Sequence, residues 1–189
     1  MIEIIMNIFC YLKEIYHFPI EQSMVIMAVI AFLYFFRCLL VPGTKRKMSG
    51  GLVVAGLLFA FYVSQVIGLT LLNRITESEA RFDLNPFDVY RIAMDGNTVF
   101  MTQLICNVVM FVPLGILCPI CFRRADGFFK MLLISFGCSL AIETIQLYTH
   151  TGLFEIVDLI NNTLGGMIGY LLFKIFHGMM LLKKRRKSR

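Results

Sequence analysis

Five amide and carboxylate side chains lie within stretches of the sequence that are otherwise almost wholly apolar. Glu143 and Gln146 are three residues apart, so a helix would place them on one face. Asp158 and Asn162 are four apart and would also share a face, and Asn107 lies in a third apolar stretch. Such groups can bind a polar headgroup, and a carboxylate among them can transfer a proton. These residues are the candidate ligand-binding site, with Glu143 and Asp158 as the candidate acid and base.

The composition of the chain predicts that these residues lie inside a membrane. Hydrophobic residues make up 58% of the chain and charged residues 16%, whereas soluble proteins carry about 25% charged residues. Too little polar surface is left to coat a soluble globule of this length. Five stretches approach or exceed the roughly 20 apolar residues that a spanning helix needs; they cover residues 23–41, 51–72, 103–122, 128–148 and 156–177.

The N-terminal segment has a different pattern. Apolar residues in Met1–Tyr16 recur at helical spacing and are interrupted by charged ones, which is typical of an amphipathic helix lying in the membrane interface. We therefore predict an all-α integral membrane protein, a five-helix transmembrane bundle with an N-terminal interfacial helix. A single transmembrane domain would cover residues 1–182, and residues 183–189 would form a basic tail.

Basic residues are concentrated on one side of the predicted membrane. If the five spans alternate in direction, the loops 42–50 and 123–130 and the tail 183–189 lie on the same side. The positive-inside rule makes that side cytoplasmic, so the N-terminus would be outside and the C-terminus in the cytoplasm. With this topology, all five candidate residues fall in the outer half of the membrane. We therefore predict one shared polar site that opens outward.

Four of the candidate residues also have a purely structural interpretation. Asp158 could serve only to begin a helix, and Asn107 and Asn162 could hold neighbouring helices together by hydrogen bonds. Glu143 is the hardest to explain in this way, because a carboxylate at the centre of a membrane costs on the order of 3 kcal/mol. The sequence leaves both interpretations open for each residue.

Other kinds of site are not indicated. His150 and His177 have no ligand-like neighbours, and Cys118 and Cys121 lack the second pair that a zinc site would need. We therefore expect no metal and no cofactor. No nucleic-acid-recognition fold could be built around the basic tail, so we expect no nucleic-acid partner.

Three segments carry recognisable motifs: Asn107-Val-Val-Met-Phe111-Val-Pro113-Leu-Gly115, Ser139-Leu-Ala-Ile-Glu143-Thr-Ile-Gln146 and Phe154-Glu155-Ile-Val-Asp158-Leu-Ile-Asn161-Asn162-Thr163-Leu164-Gly165-Gly166. Their order and spacing are more specific than any one of them, and together they resemble the VanZ-like family of membrane proteins. A weaker fourth segment is Leu84-Asn85-Pro86-Phe87. The family often has a doubled acid before the last span. In this chain Val157 replaces one acid of that cluster, and another is changed to Glu155. An arginine that the family often has just upstream is absent from residues 149–153.

The resemblance implies a multi-pass protein of the bacterial cytoplasmic membrane, related to one that confers low-level resistance to teicoplanin and other lipoglycopeptides. A non-enzymatic protein of this kind would act at the outer leaflet, on drug access or on lipid-linked cell-wall precursors. Its expected partners are membrane lipids and either such a precursor or the lipoglycopeptide itself. One alternative is a membrane enzyme acting on a lipid-linked substrate, with Glu143 and Asp158 as acid and base. Another is a small lipid or proton-coupled transporter, which would need to form a homo-oligomer.

Overall fold

The computed structural model describes residues 50–72 and 82–187. Within these ranges four helices are long and apolar enough to cross a membrane, so the protein is an all-α membrane bundle. The predicted span 23–41 and the predicted interfacial helix lie outside the described residues. The spanning helices are α1 (Gly50–Ile67, continued by a π-helical turn Gly68–Leu72), α3 (Thr98–Cys121), α4 (Phe128–Thr149) and α5 (Ile156–Lys187); a short helix α2 (Pro86–Met94) precedes α3.

Residues 82–102, which precede the third predicted span, form a short strand and a helix as well as loop. The side chain of Asn85 accepts a hydrogen bond from the backbone N–H of Phe87, and proline follows at the first helical position, so α2 begins at Pro86. Asn97 caps α3 in the same way, because its side-chain oxygen accepts hydrogen bonds from the backbone N–H groups of Val99 and Phe100. These caps make α3 begin five residues before the predicted boundary at Gln103. At the other end of the chain, α5 extends through Lys187, ten residues beyond the predicted end at His177.

The two ends of the bundle differ in structure and charge. At one end, β1 (Phe82–Asp83) and β2 (Phe154–Glu155) form a two-stranded parallel pair, with Phe82 opposite Phe154 and their ring centroids 5.8 Å apart. We call this the strand end. The turn between α3 and α4 lies at the opposite, basic end, which carries Arg123 and Arg124.

Helix α5 packs most extensively against α3, along a seam of glycines. A Cβ atom at Gly165 would collide with the carbonyl oxygen of Val108, and one at Gly169 with that of Val112. On the facing helix, a Cβ atom at Gly115 would strike the backbone of α5. Gly165 and Gly169 have the G-x-x-x-G spacing that is typical of closely approaching membrane helices, and α3 is the helix that makes this approach.

The basic end is held by a cluster of polar and aromatic groups around Asp126. The Tyr170 hydroxyl donates to the Asp126 carboxylate at 2.9 Å, and Lys174 forms an ion pair with the same carboxylate. The bond from Lys174 holds the pKa of Asp126 below its usual range. Lys174 also lies over the Tyr170 ring, 5.4 Å from its centroid. This cluster joins the α3–α4 turn to the middle of α5.

Candidate functional site

Asn107 and Asp158 meet directly at the strand end of the bundle. The Asn107 side-chain amide donates to the Asp158 carboxylate at 2.6 Å, across 51 positions of sequence. Asp158 is the third residue of α5, where the helix dipole favours a negative charge. Asn107 lies nine residues after the first residue of α3, about 14 Å along the helix. It is therefore farther from the start of the helix than the predicted boundary at Gln103 implied. Both side chains are partly buried.

Ser139 extends this contact to the third helix. Its hydroxyl accepts from the Asn162 amide at 2.9 Å and donates to the backbone carbonyl of Asp158 at 3.5 Å. Ser139 and Asn162 are buried, with 0% and 2% of their surface exposed. A buried amide is costly unless it is hydrogen-bonded, and this bond ties α4 to the first turns of α5. The sequence offered a weak signal for Ser139, which lies one helical turn from Glu143.

Glu143 is buried, with 1% of its surface exposed. Its Oε2 atom accepts a hydrogen bond from the backbone N–H of Glu155 at 3.0 Å. Glu155 ends β2 and directly precedes α5, so the Glu143 carboxylate, which belongs to α4, lies at the N-terminus of α5. Helix N-termini carry unpaired N–H groups and a partial positive charge, which offsets the cost of burying this carboxylate. The arrangement favours a role in holding the β2–α5 junction over acid–base catalysis by Glu143.

Gln146 is directed to a different partner from the other candidate residues. Its amide donates to the backbone carbonyl of Thr70 at 2.9 Å, within the π-helical turn that ends α1. Gln146 is 2% exposed, and its partner lies 76 positions away in the sequence. This bond links α4 to α1. The bonds of the other four candidate residues join α3 and α4 to the start of α5; these residues are Asn107, Glu143, Asp158 and Asn162.

Tyr90 of α2 completes the cluster and was missed by sequence reasoning. Its hydroxyl donates to the Asn161 side-chain oxygen at 2.9 Å, a contact that spans 71 positions. Partial burial is the main factor that raises the pKa of Tyr90; the Asn161 bond opposes it, and the nearby Asp158 carboxylate adds to it. Tyr90 therefore remains a protonated donor at neutral pH. No local pattern could have identified it, because α2 reaches α5 only in the tertiary fold.

Replacing Tyr90 with phenylalanine is expected to loosen α2 without unfolding the bundle. The ring remains and one hydrogen bond is lost, which costs about 0.5–1.5 kcal/mol. Hydrogen exchange of the amides in α2 should therefore accelerate by roughly 2–12-fold, while the exchange of α4 stays unchanged. Tyr148→Phe is the matched control, because Tyr148 is 80% exposed. Equal exchange of α2 in the two variants would contradict this role for Tyr90.

These hydrogen-bonded amides, carboxylates and hydroxyls, which we call the polar network, lie toward the strand end of an apolar bundle. Among the described residues, the Asn161 amide nitrogen and the Asn162 side-chain oxygen are buried without a protein hydrogen-bond partner. They leave one donor and one acceptor unused beside the bonded groups. No three His, Cys, Asp or Glu side chains in residues 50–72 and 82–187 are grouped to hold a metal ion. The chemistry of the cluster is that of hydrogen-bonding recognition, with Asp158 as a partly exposed carboxylate.

Comparison with known proteins agrees with the sequence motifs. The VanZ/LLP1 family model matches residues 24–177. Protein VanZ of Enterococcus faecium is 29% identical over 141 residues, which cover 71% of this chain and 82% of that protein. No solved structure matches the chain. The match to the family model includes the three motif segments, the helices α1, α3 and α4, and α5 as far as residue 177, and the chain belongs to the VanZ/LLP1 family.

Proposed function

We propose that the protein lowers the susceptibility of a bacterial cell to teicoplanin and related lipoglycopeptides. In this proposal the strand end faces outward, and its polar network acts at the outer leaflet of the cytoplasmic membrane. The network there limits access of the drug to its target, either by binding the drug or by binding a lipid-linked cell-wall precursor. The family membership and the relation to protein VanZ support the resistance function.

The observation that carries the proposal is the meeting of Asn107 with Asp158, joined to Ser139 and Asn162. Polar groups inside a membrane are expensive, and their grouping at one end of a bundle is typical of a binding site. The distribution of charge supports the outward orientation. Among the described residues, most acids lie at or near the strand end and most basic residues toward the other end, with Arg91 and Asp126 as the exceptions. The acids at the strand end include Asp83, Asp88, Asp95, Glu155 and Asp158, and the basic residues at the other end include Arg123, Arg124, Lys130 and Lys183.

Expression of the chain in a sensitive bacterium is expected to raise the minimal inhibitory concentration of teicoplanin several-fold and to leave that of vancomycin unchanged. Asn107→Leu and Asp158→Asn should each return the teicoplanin value to that of the empty vector. Asn107→Leu removes the donor to Asp158, and Asp158→Asn removes the charge while preserving shape. Both residues are partly exposed, so these variants disturb folding less than a change at Glu143.

The matched controls replace residues of the same type at exposed positions. Asn97→Ser keeps a capping side chain at the start of α3, and Asp95→Asn removes an exposed carboxylate at the end of α2. Both should protect as well as the native chain at equal abundance in the membrane fraction. If Asp158→Asn protects fully, or if the native chain changes vancomycin and teicoplanin susceptibility alike, the polar network is not the site of a lipoglycopeptide-selective effect.

A further inference from the structure

The short helix α2 has two unlike surfaces. Ala93 is buried, with 2% of its surface exposed, and Tyr90, three residues earlier, bonds α5 from the same side of the helix. Phe87 and Met94 each have 78% of their surface exposed, and because they are seven residues apart they form one apolar stripe. Large apolar side chains that are exposed along one stripe mark an interaction surface.

The charged side chains of α2 follow a fixed order around the helix. From the helical repeat, Arg91 lies roughly 50° around the helix from the stripe of Phe87 and Met94. Asp88 and Asp95 are also seven residues apart, and they form an acidic stripe about 50° beyond Arg91. All three charged residues are exposed. The surface thus passes from apolar side chains through a cation to carboxylates, just as a membrane interface passes from acyl chains through phosphates to water.

Helix α2 lies against a side of the bundle that faces lipid. Tyr90 bonds Asn161, and the residues three and seven positions after Asn161, on the same face of α5, are Leu164 and Ile168. Leu164 and Ile168 are 50% and 37% exposed, so this face of a spanning helix contacts lipid in its next two turns. Asn161 itself is buried where it meets Tyr90. Helix α2 therefore lies at the strand end of a lipid-facing surface, beside the first turns of α5.

We propose that α2 binds the phospholipid interface at the strand end, with Phe87 and Met94 among the acyl chains and the Arg91 guanidinium bonded to a lipid phosphate. Guanidinium groups suit phosphate oxygens, and the long arginine side chain can reach from apolar surroundings to the headgroups. Asp88 and Asp95 then face water. A protein partner fits this surface less well, because it would bury Arg91 beside two apolar side chains, whereas at the interface the guanidinium stays hydrated. This lipid contact does not depend on how the polar network acts.

The sequence contains no tryptophan, so a single fluorescent reporter can be placed on α2. Phe87→Trp places it on the apolar stripe, and Asp95→Trp places it on the acidic stripe as the control. Each full-length variant is reconstituted in phosphatidylcholine vesicles, either with bromine on the acyl chains or with acrylamide on both sides of the bilayer. We expect the brominated lipid to quench F87W several-fold more strongly than D95W. Acrylamide, which reports exposure to water, should quench D95W several-fold more strongly than F87W.

Adding Arg91→Glu to the F87W variant tests the phosphate contact. Lipid phosphates repel a carboxylate, so quenching by brominated lipid should fall several-fold and quenching by acrylamide should rise. Arg124→Glu is the matched control, because Arg124 is exposed at the basic end, and it should leave both signals unchanged.

Equal quenching of F87W and D95W by both quenchers would overturn the proposal. A F87W reporter that neither quencher reaches would also overturn it, since a protein surface, such as a second copy of the chain, would then cover the stripe. If Arg91→Glu leaves the F87W signals unchanged, Arg91 does not hold a lipid phosphate.

Discussion

Replacing Gly169 with alanine is expected to disrupt the packing of α3 against α5 and to destabilise the protein strongly. The added Cβ atom would overlap the carbonyl oxygen of Val112, and it would lie 2.9 Å from the Val112 carbonyl carbon and 3.1 Å from the Gly115 Cα atom. All three are backbone atoms, so no side chain can turn aside to make room. The two helices must separate, and overpacking of this kind costs about 3 kcal/mol or more.

The measurement is thermal unfolding of the detergent-solubilised chain, followed by circular dichroism. The apparent Tm of the G169A variant should fall by on the order of 10 °C. Gly178→Ala is the matched control on the same helix, because its Cβ atom would meet nothing within 4 Å. Alanine also has the higher helix propensity by about 1 kcal/mol, so the control should melt at or above the native temperature. If both variants melt with the native protein, α3 and α5 do not meet at this seam.

Replacing Glu143 with alanine is expected to release the junction between β2 and α5. The Glu155 N–H loses its bond to the carboxylate, and loss of a hydrogen bond to a charged group costs about 1.5–3 kcal/mol. The truncation also leaves a cavity at a position where the native side chain is 1% exposed. Glutamine retains an acceptor oxygen at the same distance along the side chain, so E143Q should lose much less stability than E143A.

Hydrogen exchange at the Glu155 amide distinguishes this local effect from general destabilisation. Its exchange rate should rise by roughly 10–100-fold in E143A, which corresponds to the free energy of the lost hydrogen bond. In E143Q the rate should rise much less. Thr144→Ala is the control on the same turn of α4, because the Thr144 hydroxyl bonds only within its own helix, to the carbonyl of Leu140. Unchanged exchange of the Glu155 amide in E143A would show that the carboxylate does not hold this junction.

The spanning helices were largely predictable, because the cost of placing a residue in lipid depends mainly on its own side chain. The predicted spans 51–72 and 128–148 differ from the observed helices by one residue at most, and α5 begins at Ile156 as predicted. The start of α3 was placed five residues too late. Its boundary is set by the cap at Asn97, a polar signal that hydropathy does not register.

The positions of the polar residues were also predictable, but their partners were not. Sequence spacing grouped Glu143 with Gln146 on one face of α4, and both are buried. The fold directs Glu143 to the start of α5 and Gln146 to the end of α1. A rotation of α4 about its axis would turn both side chains away from these partners, and no periodicity in one helix specifies its rotation against its neighbours.

The sequence by itself determined that the chain is a membrane protein of the VanZ/LLP1 family and that its interior amides and carboxylates occupy three helices. Only the tertiary structure decided that Asn107 bonds Asp158 and that Tyr90 reaches Asn161. The physical reason is the range of the interactions. Hydropathy and helix caps act on neighbouring residues, whereas a hydrogen bond between helices depends on their rotation, depth and separation. In this protein the glycine seam of α5 sets the separation between α3 and α5.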